Sequence, residues 1–430
     1  MIYLIIILAI TFAIISWKRP LWGAYIITAG LPSFLLRFKT FGIPMTFLES
    51  MVLILFLICL IRKQIDFRKF FKSPFFWPMT VILVVASISV LVSPDRVGGL
   101  GIWKAYFVEP MLFWLILTSQ IRSRKALEGL FWALGASILY LAIIGLFQQF
   151  TAWNMPQAFL KPSGGVDRIV SILNYPNALG LYFGPIIILY LGWLFVPSLY
   201  EREGARRAEG FNVVLKLIIL ILAVVTILLA HSYGAIISVA VISWVMGIVY
   251  KKTRWYVVGL TVLSGLAWLF SGQLRSFVMA KLFAKDYSLF VRSLIWKETW
   301  VMLKANWFFG AGLNGYHLKI LPYHLKTFEV FPYPHNILFN FWSELGIMGV
   351  VAFAWLFIKY IWINVKNFFK GQGSKILSFT YVAILAQMII HGLVDVPYFK
   401  NDLSMLFWIV MAVAVVNGGI VWNNKEEKSI

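Results

Sequence analysis

Residues 271–336 read SGQLRSFVMAKLFAKDYSLFVRSLIWKETWVMLKANWFFGAGLNGYHLKILPYHLKTFEVFPYPHN, and they interrupt a chain that is otherwise almost continuously apolar. Eight of them are Lys or Arg, three are acidic, and three of the chain's five histidines fall among them. Ionisable side chains are costly inside a bilayer, so we expect this stretch to lie outside the hydrocarbon. We call it the lid segment.

The rest of the chain consists of segments long enough to cross a membrane. Of its 430 residues 61% are hydrophobic and 13% are charged, whereas a soluble domain is about 25% charged. Transmembrane strands would give alternating segments of about ten residues instead of continuous apolar runs. We therefore predict an all-α integral membrane protein with about 12–13 transmembrane helices. The predicted spans are 2–16, 21–36, 45–61, 75–92, 103–120, 126–149, 178–197, 213–230, 234–250, 255–270, 337–361, 376–393 and 404–422, of which the short second one could be a re-entrant piece.

The lid segment divides the chain into three parts. Residues 1–270 hold the first transmembrane helices with short loops, 271–336 form an extracytoplasmic lid, and 337–430 hold the last helices and a short cytoplasmic tail. The first apolar run has no basic residue before it, so we interpret it as a retained span and not as a signal peptide. The single cysteine, Cys59, lies inside an apolar run and excludes both a disulfide within the chain and a cysteine metal site.

The basic loops set the expected orientation. Clusters of Lys and Arg at 62–72, 122–125 and 251–254 are each separated from the next by an even number of spans, and cytoplasmic loops carry such an excess. The formal net charge of +21 therefore needs no nucleic acid as its explanation. This arrangement leaves the lid segment outside, where its basic residues serve no topological purpose. An anionic ligand would explain them, and so would attraction to anionic lipid headgroups.

The loop before the seventh span carries an arginine beside a helix start. In KPSGGVDRIVSILNYPNALGLYFGP (161–185), Arg168 precedes Asn174 and Asn177, either of which could cap the helix. A guanidinium beside free helix N–H groups suits phosphate. The alternative is an interfacial arginine that extends to the membrane surface.

The lid segment itself predicts an amphipathic helix and a tight turn. At 287–305 Val291, Leu294, Ile295 and Met302 share one stripe, whereas Arg292, Trp296 and Thr299 share another. Arg292 would face a ligand cavity, unless the helix only rests on the membrane surface. Three glycines in WFFGAGLNGYH (307–317) indicate a non-helical turn, which is a weak phosphate signal by itself.

Two further stretches hold ionisable residues at the edge of the membrane. In FPYPHNILFNFWSELGIMG (331–349) two prolines lead to His335 and Asn336 at the start of a span, and Glu344 follows two turns inside. A neutral imidazole at this position could accept a proton from a hydroxyl near neutral pH, although a lone histidine is more often structural. Near the C-terminus, His391 ends a span, and Asp395 lies with Lys400 and Asp402 in a short loop where we expect a structural charge network.

These motifs, in this order, resemble the O-antigen ligase and O-antigen polymerase superfamily of bacterial membrane glycosyltransferases. The resemblance spans roughly residues 165–420 and is most specific at 290–346. It is carried by the stretch from Arg168 to Asn177, HSYGA at 231–235, RSLIW at 292–296, the turn Gly310–Gly312, Pro334–Asn336 followed by Glu344–Gly346, and His391 with Asp395. One departure is Tyr233, where many members have a basic residue. His231 or Lys281 could substitute for it.

The resemblance implies a function and a site. Members transfer a glycan from an undecaprenyl-diphosphate carrier to a glycan or lipid-linked acceptor hydroxyl at the outer face of the bacterial cytoplasmic membrane, with a fold like that of C-type glycosyltransferases and without a metal or other cofactor. By carry-over, Arg168 and Arg292 bind the diphosphate and His335 is the general base. Residues in possible supporting roles are Asn177, His231, Tyr233, Asn336, Glu344, His391 and Asp395.

Two other classes of function remain open at this level. A transporter or flippase for a lipid-linked anion would carry charged residues along several spans and often internal repeats, but no repeat is evident and the charges cluster at one face. A non-catalytic scaffold in an envelope-glycan complex would explain the loss of the basic residue at Tyr233. The sequence also leaves ligase and polymerase activity undistinguished, because the two share a donor.

Overall fold

The computed structural model describes residues 2–40, 42–196, 203–273, 276, 287–325 and 329–420, and these are mostly helical. The helices are, in chain order, α1 Ile2–Lys18, α2 Pro20–Ala29, α3 Phe47–Ile61, α4 Phe67–Phe71, α5 Phe76–Val92, α6 Arg96–Ile102, α7 Glu109–Gln120, α8 Arg124–Thr151, α9 Pro176–Leu194, α10 Glu203–Leu229, α11 Tyr233–Val249, α12 Arg254–Phe270, α13 Tyr287–Ala305, α14 Tyr316–Lys319, α15 Ile337–Lys370, α16 Lys375–Gly392 and α17 Asn401–Gly419. A π-helical segment, Trp103–Val108, joins α6 to α7. Short 3-10 turns lie at Leu31–Leu35, Gln157–Phe159 and Leu321–Tyr323, and strands β1 Arg37–Thr40 and β2 Ile43–Thr46 form an antiparallel hairpin.

The chain is an all-α integral membrane protein, as predicted. Within the described ranges, seven helical stretches are long and apolar enough to cross a membrane, and five shorter apolar helices accompany them. In lipid every backbone group must find an internal partner, which a helix provides.

Two predicted boundaries differ from the structure. The expected span at 21–36 is not one helix, because α2 has only 10 residues, about half the length needed to cross the hydrocarbon. A 3-10 turn and the hairpin continue it, and neither gives a strong signal in an apolar sequence. The expected loop at 93–102 is also shorter, because α6 begins at Arg96 and Asp95 caps it by accepting the Gly98 N–H at 2.9 Å.

The connecting segments meet at two ends of the helix bundle. At one end the Asp66 N–H donates to the Ser119 hydroxyl at 3.0 Å, which joins the basic loop 62–72 to the end of α7. At the opposite end the Ser93 hydroxyl donates to the Leu313 carbonyl at 2.6 Å. This second end, which we call the lid end, also receives the segments 152–175, 230–232 and 393–400.

Helices α9 and α17 form much of the interior of the helix bundle. In the most apolar stretch of α9, and likewise of α17, 83% of the residues are buried, against 22% in the corresponding stretch of α10. Helix α9 packs against α11 and α16, and α17 packs against α7. The central helices are thus enclosed by other helices, whereas α10 presents most of its apolar surface outward, as expected for contact with lipid.

The described part of the lid segment is folded against the bundle. Its predicted amphipathic helix is α13, and Val291, Ile295, Thr299 and Met302 form its buried face. Thr299 is polar yet fully buried, because its hydroxyl hydrogen-bonds both to the carbonyl of Ile295 and, at 2.8 Å, to the hydroxyl of Tyr316.

The glycine-rich turn at 310–315 packs against a break in α15. Gly346 has a φ of 70°, and a Cβ there would lie 2.0 Å from the Phe308 carbonyl oxygen. That carbonyl instead accepts the Ile347 N–H at 3.1 Å. Glu344 accepts the Asn314 N–H at 2.7 Å, so its buried carboxylate fixes the turn to the helix.

Candidate active site

Arg168 lies where three segments meet at the lid end. Its Nε donates to the Ala230 carbonyl at 3.0 Å, and one Nη donates to the side-chain oxygen of Asn177 at 2.9 Å and to the His231 carbonyl at 3.4 Å. The guanidinium thereby joins the loop before α9, the start of α9 and the turn before α11. Asn177 is the second residue of α9 and orients Arg168, while Tyr175 holds the N-cap position.

The turn 230–232 packs against the end of α16. His231 has a φ of 47°, a left-handed conformation that few residues other than glycine adopt. Just beyond it, a Cβ on Gly234 would lie 2.8 Å from the ring of His391. The absence of a side chain at Gly234 therefore lets the start of α11 approach His391 at the end of α16.

Three contacts hold the segment that carries His335. Trp296 of α13 donates its indole N–H to the Pro334 carbonyl at 3.0 Å. Asn336 donates its amide to the Leu393 carbonyl at 2.9 Å, and its side-chain oxygen accepts the N–H groups of the first turn of α15. His335 has a φ of 49°, and such strain persists only where the surroundings impose it.

His335 is paired with Asp395. Its Nδ1 lies 3.4 Å from a carboxylate oxygen of Asp395, and the same oxygen accepts the Val396 N–H at 2.9 Å. Burial acts to raise the pKa of Asp395, but the bond to His335 and the charges of His335, His391 and Arg292 outweigh it and hold the pKa below its ordinary value. The carboxylate therefore stays ionised and favours the tautomer with its proton on Nδ1, so that Nε2 is the basic nitrogen of the ring.

Arg292 faces this pair from α13. One Nη donates to the Ser288 hydroxyl, one turn earlier on the same helix. Its Nε is buried and has no hydrogen-bond partner among the residues that the structure describes. Burial lowers the pKa of Arg168, and the positive charge of Arg292 acts in the same direction, so the two guanidinium groups are close enough to influence each other.

Two tyrosines and a lysine complete the surroundings of His335. The ring of Tyr333 lies 4.7 Å from the imidazole, centroid to centroid. Burial raises the pKa of Tyr333 to about 12, and its hydroxyl hydrogen-bonds to that of Tyr175. The ammonium of Lys400 lies 5.2 Å from the Tyr175 ring centroid and 3.6 Å from a carboxylate oxygen of Asp402.

Some predicted residues lie elsewhere or have few contacts. Glu344 bonds to the glycine-rich turn, two helical turns from His335. Tyr233 is 60% exposed and stacks on His231, with ring centroids 6.5 Å apart. Lys281 lies outside the described residues, as do Arg275, Lys285 and Lys326 of the basic lid segment.

Two comparisons with known proteins show what the chain is similar to. Residues 218–354 match the family model described as O-antigen ligase. The chain is also 22% identical over 368 residues to a protein named O-antigen ligase from Salmonella typhimurium strain LT2, covering 80% of this chain and 82% of that relative. Both similarities point to the O-antigen ligases.

These similarities support a glycosyltransferase-type enzyme, and the long apolar helices are those of a multi-pass membrane protein. The stretch matched to the O-antigen ligase model contains Arg292, His335 and Glu344. Arg168 and Asp395 lie outside it, on either side in the sequence, and only the fold brings them to His335.

Sequence reasoning named Asp395 as a possible supporting residue but missed its partner. It placed Asp395 in a network with Lys400 and Asp402, whereas Asp395 pairs with His335, 60 residues away. Trp296 was placed only on the stripe of Arg292, and Tyr333 was not singled out. In the sequence, the one indication of the His335–Asp395 pair is that His335 directly precedes a predicted span and Asp395 directly follows the next one. Both residues are therefore expected at the same side of the membrane.

Proposed function

We propose that this protein, like the O-antigen ligases that it resembles, transfers a glycan from an undecaprenyl-diphosphate carrier to a sugar hydroxyl at the outer face of the cytoplasmic membrane. The observation that carries the proposal is that two arginines and a His–Asp pair share one site at the lid end. The positive charges of His335 and Arg292 both act to lower the pKa of Asp395, and the positive charge of Arg292 also acts to lower the pKa of Arg168. A substrate bound at this site would contact both the arginine cations and the basic imidazole of His335.

The arginines suit the leaving group. When the bond between the anomeric carbon and the carrier phosphate breaks, its electron pair moves to the phosphate oxygen and adds negative charge to the diphosphate. Arg168 and Arg292 would stabilise that charge as it develops. The buried Nε of Arg292, without a partner among the described residues, is a donor that a phosphate oxygen would satisfy.

The histidine suits the acceptor. The hydroxyl oxygen of the acceptor sugar forms the new bond to the anomeric carbon, and its proton passes to Nε2 of His335. Asp395 then faces an imidazolium and stabilises it through the hydrogen bond to Nδ1. Because the arginines supply the positive charge, this mechanism requires no metal, and no group of three or more His, Cys, Asp or Glu suited to a metal occurs among the described residues.

The experiment that tests this function follows release of undecaprenyl diphosphate. The purified protein is incubated with an undecaprenyl-diphosphate-linked oligosaccharide, with and without an acceptor, in the presence or absence of EDTA. We expect acceptor-dependent release that EDTA does not change and that Arg168→Gln, Arg292→Gln and His335→Gln each reduce by at least about a hundredfold. Arg96→Gln is the matched control, since Arg96 is exposed at the same end of the bundle.

Release that depends on a divalent cation would contradict the proposed use of arginine in place of a metal. Donor that binds but remains intact with every acceptor would favour the transporter or scaffold. The product separates the two enzymes: one addition per acceptor identifies a ligase, and a ladder of lengths identifies a polymerase.

A further inference from the structure

A cavity that is separate from the site around His335 opens at the lid end, behind the β1–β2 hairpin. Its volume is about 430 Å³, and it lies between the hairpin, the helical stretch from α6 into the π-helical segment, and the start of α17. The lining residues with polar or aromatic side chains useful for binding are Arg37, Phe38, Lys39, Lys104, Tyr106 and Asn401. None of these residues belongs to the site around His335.

The hairpin gives this cavity a positive charge. Side chains alternate between the two faces of a strand, so Arg37 and Lys39 share one face of β1. Both are exposed, and neither forms a salt bridge with a carboxylate among the described residues. Two cations whose charge is not balanced therefore border one cavity.

The remaining charged groups of the cavity fix its shape. Glu49 is buried and accepts hydrogen bonds from the Thr46 N–H at 2.9 Å, from Lys104 at 3.0 Å and from Asn401 at 3.2 Å. Lys104 also donates to the Pro44 carbonyl at 3.2 Å. Since Glu49 is occupied by these partners, it ties the hairpin to two helices and leaves the charges of Arg37 and Lys39 for a ligand.

The cavity is connected to the reaction site by a short series of contacts. Asn401 lines it, and the preceding residue, Lys400, lies on the ring of Tyr175. Tyr175 is hydrogen-bonded to Tyr333, whose ring touches His335. This series of contacts links the cavity to the Tyr333 side of His335.

We propose that this cavity binds the acceptor through an anionic group on its sugar, a phosphate monoester held by Arg37 and Lys39. Aromatic rings and an amide beside the cations suit a sugar ring that carries such a group. The proposal rests on the proposed transfer function. A phosphate at this position could also come from the headgroup of an anionic phospholipid, and the experiment separates the two sources.

The test uses the full chain in nanodiscs of phosphatidylcholine and the double variant Arg37→Gln/Lys39→Gln. The probes are dodecyl glucoside 6-phosphate and dodecyl glucoside, with binding followed by native mass spectrometry. We expect the wild type to prefer the phosphorylated probe by at least about tenfold, and the double variant to lose that preference. The matched control, Arg96→Gln/Lys161→Gln, removes two exposed charges at the same end outside the cavity and should keep it.

Three results would overturn the proposal. The first is a wild type without preference for the phosphorylated probe, and the second is a double variant that retains the preference. The third is displacement of the probe by phosphatidylglycerol with equal affinity, which would assign the cavity to a phospholipid headgroup. The binding assay needs no donor, so it remains interpretable even if the wild type releases no undecaprenyl diphosphate and the transfer function itself fails.

If transfer occurs, the double variant supplies a second readout. We expect the KM for a phosphorylated acceptor to rise by about tenfold, with kcat and the KM for the donor unchanged. An equal loss with a phosphate-free acceptor would show that the two cations do not recognise phosphate.

Discussion

Replacing Asp395 by Asn tests the role of the His335–Asp395 pair most directly. The variant keeps the size of the side chain and can still accept the Val396 N–H, but it removes the charge that faces the imidazole at 3.4 Å. The fold at this position should therefore survive. What is lost is the stabilisation of the imidazolium that forms when His335 takes the acceptor's proton.

The size of the effect follows from the distance and the burial. Asp395 is 3% exposed and His335 17%, so solvent screens the pair only in part. At an effective dielectric constant of about 20 to 40, two unit charges 3.4 Å apart interact by about 2–5 kcal/mol. The rate of transfer should then fall by about 30- to 5,000-fold.

The assay is release of undecaprenyl diphosphate at saturating donor and acceptor, with donor affinity measured separately. We expect kcat to fall while the dissociation constant of the donor changes by less than about threefold, because Asp395 does not meet the diphosphate. Asp395→Glu should recover part of the rate. Glu329→Gln, the same change at an exposed carboxyl six residues before His335, is the control.

Two results would refute this reasoning. Unchanged kcat in Asp395→Asn would mean that the pair has no part in proton transfer. Loss of donor binding without loss of kcat would assign Asp395 to binding. Either result is interpretable only if the variant unfolds at the same temperature as the wild type.

Other predictions concern pH, charge geometry and backbone strain. Because the pKa of Asp395 lies below its ordinary value, its contribution to stability is present above about pH 4 and is lost as the pH falls through the lowered pKa; Asp395→Asn should therefore lose less stability than the wild type between about pH 6 and pH 3, as followed by thermal unfolding, and Glu329→Gln should behave like the wild type. Arg292→Lys should recover less than a tenth of the wild-type rate, since an ammonium cannot form the paired bonds of a guanidinium; full recovery would argue against bidentate phosphate contact. Gly346→Ala should destabilise the protein by at least about 2 kcal/mol in thermal unfolding, whereas Gly259→Ala, in open space, should not.

The amino-acid sequence alone predicted the class of fold and grouped the candidate site residues at one end of the molecule. Apolar runs of spanning length leave few alternatives, because lipid offers no partner to an unpaired backbone group. The same logic identified the lid segment, since its charges cannot lie in the hydrocarbon. The order of the motifs then indicated a resemblance to the O-antigen ligases, and the comparisons found the same similarity.

The sequence was less informative where the chain departs from long helices. A 3-10 turn, Leu31–Leu35, takes up most of the second half of the predicted span 21–36, and the β1–β2 hairpin follows it. The hairpin ends where a capping box of Thr46 and Glu49 starts α3. Within one apolar stretch, a half-length helix and a full one have the same composition. The cavity behind the hairpin could not be foreseen for that reason.

What only the tertiary structure decided is which charged groups are partners. Asp395 lies five residues from Lys400 and seven from Asp402 in the sequence, yet it binds His335, because α15 and α16 pack together and Asn336 joins their ends. Composition and local spacing fix how much a segment prefers lipid to water. They say nothing of which side chains meet across packed helices, since those distances depend on how the helices are arranged around one another.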